Sequence, residues 1–409
     1  MTMVKSNTAT KKFDKKRDVI IRAASVLINE QGVQATTLAS VAKAIGLNAT
    51  SITYYFSRKD KLVIAVYEAT LDLMEKMARD ARAQSTPAER LRHYIAEHVA
   101  LRKRIRGGES GLLTALSEIR TLDEGSQAGL LSRYRSIVNI VREFFGKPID
   151  DTQKALYTVR AHVLLEAVMW WPAWSRRYSV LDFDRIEKRL FDVLAYGVSA
   201  AHNEWNPQKL SGDWRTDSGE APSQNAEFLR AATVTINERG YRSASVNRIA
   251  EILNVTKGSF YHHHDTKDDL VLACFQQGYD RLSAAQMAGL SIDGDYATRL
   301  SSVMAELVDL QFHDKTPLLR TTALQALESN YRFDVVMRYN HLARRFAGML
   351  IDGIADGSVR PIDPLIASQV LMSTLNGAYE GRRWAQRFSD PQEAIRVYAS
   401  TFFKGMIDN

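Results

Sequence analysis

RAASVLINEQGVQATTLASVAKAIGLNATSITYYFSRKDKLV, residues 22–63, returns as RAATVTINERGYRSASVNRIAEILNVTKGSFYHHHDTKDDLV at 230–271. The copies align without a gap at a constant offset of 208. Gly32 answers Gly240, Ala42 answers Ala250, Lys59-Asp60 answers Lys267-Asp268, and Leu62-Val63 answers Leu270-Val271. A period this long is not that of a solenoid; it marks a duplicated domain. The duplicated unit is short, basic in its first copy and rich in helix signals. Two such units in one chain predict a reader of something two-fold, duplex DNA above all.

The chain has 409 residues, which sets a prior of two to three domains, each long enough for its own core. Lys and Arg (54) exceed Asp and Glu (47) by seven, and residues 1–63, with eleven basic and four acidic residues, hold an excess of the same size. Residues 224–271 carry six of each sign. A local excess of this kind suits a polyanion. The single cysteine, Cys274, excludes an intramolecular disulfide and predicts a reducing, cytoplasmic setting. No apolar run reaches the ~18 residues of a membrane span, and the polar N-terminus has no signal-peptide core, so a soluble protein is expected.

Nearly every segment reads as helix. Val19, Ile20, Ala23, Ala24, Val26, Leu27 and Ile28 form one broad apolar stripe that closes at Gly32, a helix C-cap. Thr36-Thr37 can cap a short helix from Leu38 to Ile45, ended by Gly46; Asn48 caps a third from Ala49 to Tyr55; Lys59 opens a long fourth. Segments 90–202 and 296–407 read as further helices, and no stretch alternates as a strand would. The halves stay related beyond the first unit at drifting offsets: Arg133-Tyr134 matches Arg338-Tyr339 at 205, and Trp174 matches Trp384 at 210. The expected domains are 1–63, 64–202, a linker at 203–224, 225–271 and 272–409.

Two short helices joined by a tight turn form a helix-turn-helix, whose second helix enters the major groove. Such a helix needs small or polar residues at its start, where the backbone meets phosphates, and hydrogen-bonding side chains beyond, for base edges. The DNA-facing candidates of the first copy are Thr36, Thr37, Asn48, Thr50, Ser51, Thr53, Tyr54, Tyr55, Lys59 and Lys61. Those of the second are Ser245, Thr256, Lys257, Gly258, Ser259, Tyr261, His262, His263 and Lys267. Lys59 and Lys267 open the following helix, where free amides already favour phosphate. The basic stretch Lys5 to Arg17 reads as a solvated, disordered arm or as a minor-groove or phosphate contact. His262-His263-His264 is not a metal site, because consecutive helical residues point ~100° apart; no metal and no cofactor is expected.

The run Thr256-Lys-Gly-Ser-Phe-Tyr-His-His-His-Asp-Thr-Lys-Asp-Asp-Leu270 closely resembles the TetR family of bacterial one-component regulators. Thr50-Ser-Ile-Thr-Tyr-Tyr-Phe-Ser-Arg-Lys-Asp-Lys-Leu62 is a second, divergent copy. The first departs from the family pattern at Thr50 and Thr53, where the second has Gly258 and Tyr261. The second has His264 where an aromatic such as Phe56 is usual. The resemblance implies an all-α fold: two tandem units, each a three-helix DNA-binding domain followed by a larger helical domain for ligand binding and dimerisation.

It also implies that the last two helices of each half, Val163 to Trp174 with Phe183 to Val198 and Ile366 to Trp384 with Pro391 to Met406, join as a four-helix bundle. The chain would then be an intramolecular pseudo-dimer, with a further homodimer of whole chains left open. The partners implied are operator DNA and a small hydrophobic or acyl-CoA-like effector. Helix placement makes Tyr157, Arg160 and His162 polar candidates for the effector in the first half, and Arg320, Gln325 and Tyr339 in the second. The aromatic residues Trp170, Trp174, Tyr379 and Trp384 fit either a ligand box or plain core. The sequence contains no GxSxG, P-loop, HExxH or Cys/His cluster, which argues against an enzyme. The rival reading is an architectural DNA-bridging protein without an effector.

Overall fold

The computed structural model describes residues 3–408 except 110–112, 117, 118, 120, 121, 213, 216–222, 242–244 and 328. For 3–10, 325, 326, 329 and 330 it describes the main chain alone. The first half runs α1 (Met3–Ala35), α2 (Leu38–Ala44), α3 (Ala49–Tyr55), α4 (Lys59–Arg82), α5 (Pro87–Arg106), α6 (Glu124–Arg142), α7 (Asp151–Trp174) and α8 (Phe183–Tyr196). The second runs α9 (Gln224–Arg239), α10 (Val246–Leu253), α11 (Lys257–Tyr261), α12 (Lys267–Leu290) and α13 (Tyr296–His313), then a 3-10 segment (Thr321–Ala326). It ends with α14 (Ser329–Ala355), α15 (Pro364–Ala378), α16 (Arg382–Ala385) and α17 (Pro391–Phe403). Among the described residues the only strand-like pairing is an isolated bridge between Ser199 and Val359, so the fold is all-α.

Equivalent backbone punctuation shapes the two small domains. Gly32 (φ 80°) and Gly240 (φ 81°) break helical geometry at the same place, and a left-handed turn separates α2 from α3 and α10 from α11. That turn is made by Gly46 (φ 66°) in the first copy and by Asn254 (φ 52°) in the second. Asn is the residue other than Gly that tolerates this conformation most readily. The offset of 208 therefore relates conformations as well as letters.

One expectation is corrected. The basic stretch from Lys5 to Arg17 is helical and continuous with α1, because it finds aromatic partners on α3. The Phe13 ring lies 4.7 Å from Tyr55 and 5.9 Å from Tyr54, and the Arg17 guanidinium sits 5.3 Å over Phe56. The connector at 203–224 is non-helical up to α9 where described, yet it is laid against the second half. Leu210 and Trp214 are buried, the Gln208 N–H donates to Ser302 Oγ at 2.8 Å, and Arg215 binds Asp309 at 2.7 Å and Glu306.

The halves join through α7 and α8 against α15 and α17. At one end of this bundle the chain segments after α8 and α17 exchange main-chain hydrogen bonds. The Val198 and Ser199 N–H groups donate to Phe403 O at 3.1 and 3.0 Å, and the Met406 and Ile407 N–H groups donate to Ala195 O at 3.1 and 3.0 Å. Each donor and acceptor is 208 residues from its counterpart, so the contact is reciprocal in the manner of a two-fold interface. Trp171, Tyr94, Phe144, Phe183, Phe312, Phe346, Tyr398 and Phe402 are fully buried in one core that spans the join. The second head keeps a core of its own around Phe228, Ile249, Phe260 and Phe275, against which Trp170 of the first half packs.

Candidate nucleic-acid interface

Several predicted contact residues turn out to start helices. Asn48 Oδ1 accepts from the Ser51 N–H at 2.8 Å, Thr37 forms a reciprocal capping box with Ser40, and Ser245 and Thr256 accept from the Arg248 and Ser259 N–H groups. Each such cap contributes about 1 kcal/mol to a short helix. Beyond the caps, Thr50, Thr53, Tyr54 and Lys61 are exposed on the first head, and Lys257, Gly258, Tyr261, His262 and His263 on the second. Tyr54 is 75% and Tyr261 55% exposed, a large ring held out in water on each of α3 and α11. Tyr55 is half-buried against Phe13, and Ser51 and Ser259 are partly covered.

Thr36 belongs elsewhere. It is buried and its hydroxyl donates to Gly32 O at 2.9 Å, because the turn after α1 needs that carbonyl satisfied. The two lysines at the start of α4 and α12 also have internal partners: Lys59 Nζ donates to Gln34 O at 2.8 Å, and Lys267 Nζ to Tyr241 O while lying 3.8 Å from the Tyr241 ring centre. They tie the reading unit to the turn after its first helix. Lys61 and Lys257 remain exposed.

His264 occupies the buried place that Phe56 fills in the first copy, 5.7 Å from the Phe260 ring. Burial, with His263 adding to it, pushes the imidazole below its usual pKa. The folded head therefore takes a proton on His264 less readily than the unfolded chain, which protonates it below about pH 6.5. Stability is present above that pH and is lost as pH falls through it. His264→Phe is expected to lose less of its urea midpoint between pH 7.5 and pH 5 than the parent; an unchanged pH dependence would remove His264 from the acid response.

The effector candidates do not converge on one cavity. Arg160 is bound to Asp408, Arg320 to Glu380, Tyr339 donates to Met372 O at 3.0 Å, and Trp384 Nε1 donates to Ala155 O at 3.2 Å. Tyr157 is buried beside Phe145 and beneath Arg160; Trp174 packs on Trp171 and Tyr178; Trp170 packs on Tyr339; Arg382 covers Tyr379. His162 is largely enclosed, and burial lowers its pKa. The side chain of Gln325 lies outside the described residues. A cavity of about 230 Å³ at the bundle end is lined by Thr86, Phe145, Arg160 and Asp408, and one of about 450 Å³ lies under the connector. Of the ten candidates they touch only Arg160.

A different set stands out. Tyr94 Oη, His98 Nε2 and Arg102 Nε on α5, with Trp171 Nε1 and Ser175 Oγ at the end of α7, are buried and find no hydrogen-bond partner among the described residues. Burial pushes His98 down to about 3, so it is neutral. Arg102 donates to Pro172 O at 3.3 Å and Arg106 to Ser175 O at 3.3 Å, which draws the two helices together. Burial, and then Arg176 and Arg106, lower the pKa of Arg102. Unpaired buried polar atoms cost about 1–3 kcal/mol each, and these five fall on α5 and the end of α7. The signal was present in the sequence: Tyr94, His98, Arg102 and Arg106 recur every fourth residue, one face of a helix.

The family described as bacterial regulatory proteins, tetR family, matches residues 20–66 and again 228–274. The chain is similar to the HTH-type transcriptional repressor KstR2 of Mycobacterium tuberculosis, 27% identical over 146 residues, which is 35% of this chain and 73% of that protein. It is 27% identical to the KstR2 repressor of Rhodococcus jostii over 173 residues, 41% of this chain and 82% of that one. A solved structure, the ketosteroid transcriptional regulator KstR2 of Mycobacterium tuberculosis, aligns at 22% identity and a TM-score of 0.39 over 46% of this chain and 96% of that one. With two helix-turn-helix heads of the same build, each matched by the family and shared with repressors, the chain is a DNA-binding regulator made of two tandem TetR-family units.

Proposed function

We propose that one chain works as an intramolecular pseudo-dimer, a ligand-responsive repressor of an operator with two unlike half-sites. The observation that carries this reading is the reciprocal join. The faces with which two TetR-like units would pair are covered within the chain by α7, α8, α15 and α17. Both reading heads therefore belong to one molecule, and operator symmetry should follow protein symmetry.

The α5–α7 seam supports an effector of stated chemistry. An effector that fits it would be largely apolar, would bring hydrogen-bond acceptors to Tyr94, His98 and Trp171, which are buried without a hydrogen-bond partner among the described residues, and would end in an anion beside Arg102, Arg106 and Arg176. A long acyl carboxylate or an acyl-CoA-like thioester meets that description. In the second half the buried amide of Gln311 on α13 already has protein partners at both ends, donating to Leu375 O at 3.1 Å and accepting from the Leu318 N–H at 3.0 Å. One site per chain follows, which also sets the reading apart from a DNA-bridging protein without an effector. The ligand acts by favouring a head spacing that fits successive major grooves poorly.

Native mass spectrometry with an operator duplex and a series of straight-chain acyl carboxylates and acyl-CoA thioesters tests both parts. The expected species are one chain per duplex and one ligand per chain, with the ligand-bound fraction depleted from DNA. Two chains per duplex would overturn the pseudo-dimer; two equivalent ligands, or none in the whole series, would overturn the effector reading.

A further inference from the structure

A buried hydrogen-bonded chain runs from the join between the halves to the heads, and among the described residues it exists on one side only. Glu166 on α7 and Asn376 on α15 are 210 residues apart, the offset that relates Trp174 to Trp384, so they are equivalent positions meeting across the join. Asn376 Nδ2 donates to Glu166 Oε1. The other end of the same amide, Oδ1, accepts from the Thr321 N–H at 2.9 Å and its hydroxyl at 3.0 Å. The neighbouring Arg320 N–H donates to Asn237 Oδ1 at 3.0 Å, and Asn237 Nδ2 donates to Leu318 O at 2.9 Å. Asn237 lies on α9, the first helix of the second head.

The segment from Leu318 to Thr321 is thus held from α15 on one side and α9 on the other. The 3-10 turn that continues it packs on α1 of the first head, where Arg332 also reaches Asn29 O at 3.5 Å. In the first half Asn29, the counterpart of Asn237, grips its segment in the same way, donating to Leu113 O at 3.0 Å and accepting from the Ala115 N–H at 3.1 Å. That segment's remaining side-chain ties run to Ser25 on α1 and Thr70 on α4, at 2.6 and 3.1 Å. Among the described residues it has no hydrogen bond to its own join helix, α7. The two Asn grips are duplicated; among the described residues the link onward to the join is not.

We propose that Glu166 and Asn376 are positioning residues for the reading heads. Held across the join, they fix segment 318–326, which touches both heads, and so set the distance and rotation between them. The inference rests on the pseudo-dimer reading. It predicts that the link controls tolerance to operator geometry more than overall affinity. A worn hinge accepts several spacings; a rigid one accepts one.

The experiment measures affinity for an operator series whose half-sites are moved apart or together by one and two base pairs, with chains per duplex counted in each complex. The full chain should lose at least 10-fold per inserted base pair. Glu166→Leu and Thr321→Val should lose 3-fold or less per base pair while binding non-specific DNA as before. Glu166→Gln, which keeps the acceptor oxygen, should restore the parent's spacing preference. Parent-like spacing profiles in Glu166→Leu and Thr321→Val would overturn the proposal, as would equal losses on every spacing, the mark of a merely structural role. Should Glu166→Leu not fold, Thr321→Val decides. A parent chain that shows no spacing preference, or binds two to a duplex, would instead sink the pseudo-dimer reading.

Discussion

Gly405→Ala is expected to destabilise the chain by on the order of 4 kcal/mol, a loss seen only when a specific mechanism is at work. Gly405 has φ +83°, and a Cβ there would lie 2.3 Å from Ala195 O and 2.5 Å from the Gly197 nitrogen. Gly197, 208 residues earlier, has φ +67° and meets Phe403 O at 2.3 Å in the same way. Main chain cannot yield as a flexible side chain can, so the extra methyl would break the reciprocal hydrogen bonds of Val198, Ser199, Met406 and Ile407, each worth about 1 kcal/mol. The natural control is Gly357, which also has φ +83° but no heavy atom within 4 Å of a built Cβ. Gly357→Ala pays only the left-handed strain, about 1–2 kcal/mol. Urea midpoints of the two variants isolate the close approach from the backbone strain. Equal losses would show that the join does not depend on that contact, and a Gly405→Ala chain whose halves stay associated by scattering would say the same.

The heads were legible because a constant offset reports both copies of every helix start, turn and buried apolar residue at once. Gly46 against Asn254 shows how far this goes: two different residues, one left-handed conformation. What the offset could not report was contact between equivalent residues. Nothing in the sequence says that Gly197 meets Gly405 or that Glu166 meets Asn376, since a repeat reveals likeness and not adjacency. The basic N-terminal stretch was misread because its charge resembles that of a disordered arm, while Phe13, which docks it on α3, is one aromatic among many polar residues. Thr36 was misplaced because a cap and its neighbour share a composition; burial alone separates Thr36 from Thr37. The effector candidates came from helix placement and from aromatic clustering, yet the aromatic rings pack in the core and the join while Arg160 and Arg320 are bound to Asp408 and Glu380. The α5 stripe offered a further signal, because Tyr94 and His98, four residues apart on one face, are buried, and buried polar groups need partners.

Replacing Asn48–Tyr55 with the eight residues of Thr256–His263 should make the preferred operator symmetric. The parent presents Ala49, Thr53 and Tyr54 on one head and Lys257, Tyr261 and His262 on the other, exposed at matching places but unlike in size and hydrogen bonding. Each mismatched base pair costs about 1–3 kcal/mol, so two in the altered half-site would weaken binding to the parent operator on the order of 30-fold to 10⁴-fold. Affinity for random DNA should not fall, because the graft adds a lysine and the basic residues of α1 and α4 remain. Half-site centres should stay ~34–36 Å apart in both selections, as the join is untouched. Selection from random duplexes reads all of this directly: the parent should return two dissimilar half-sites and the graft two copies of one. A perfect palindrome from the parent would mean that identical heads, drawn from separate chains, read the operator, and the single-chain account of the tandem repeat would fail with it.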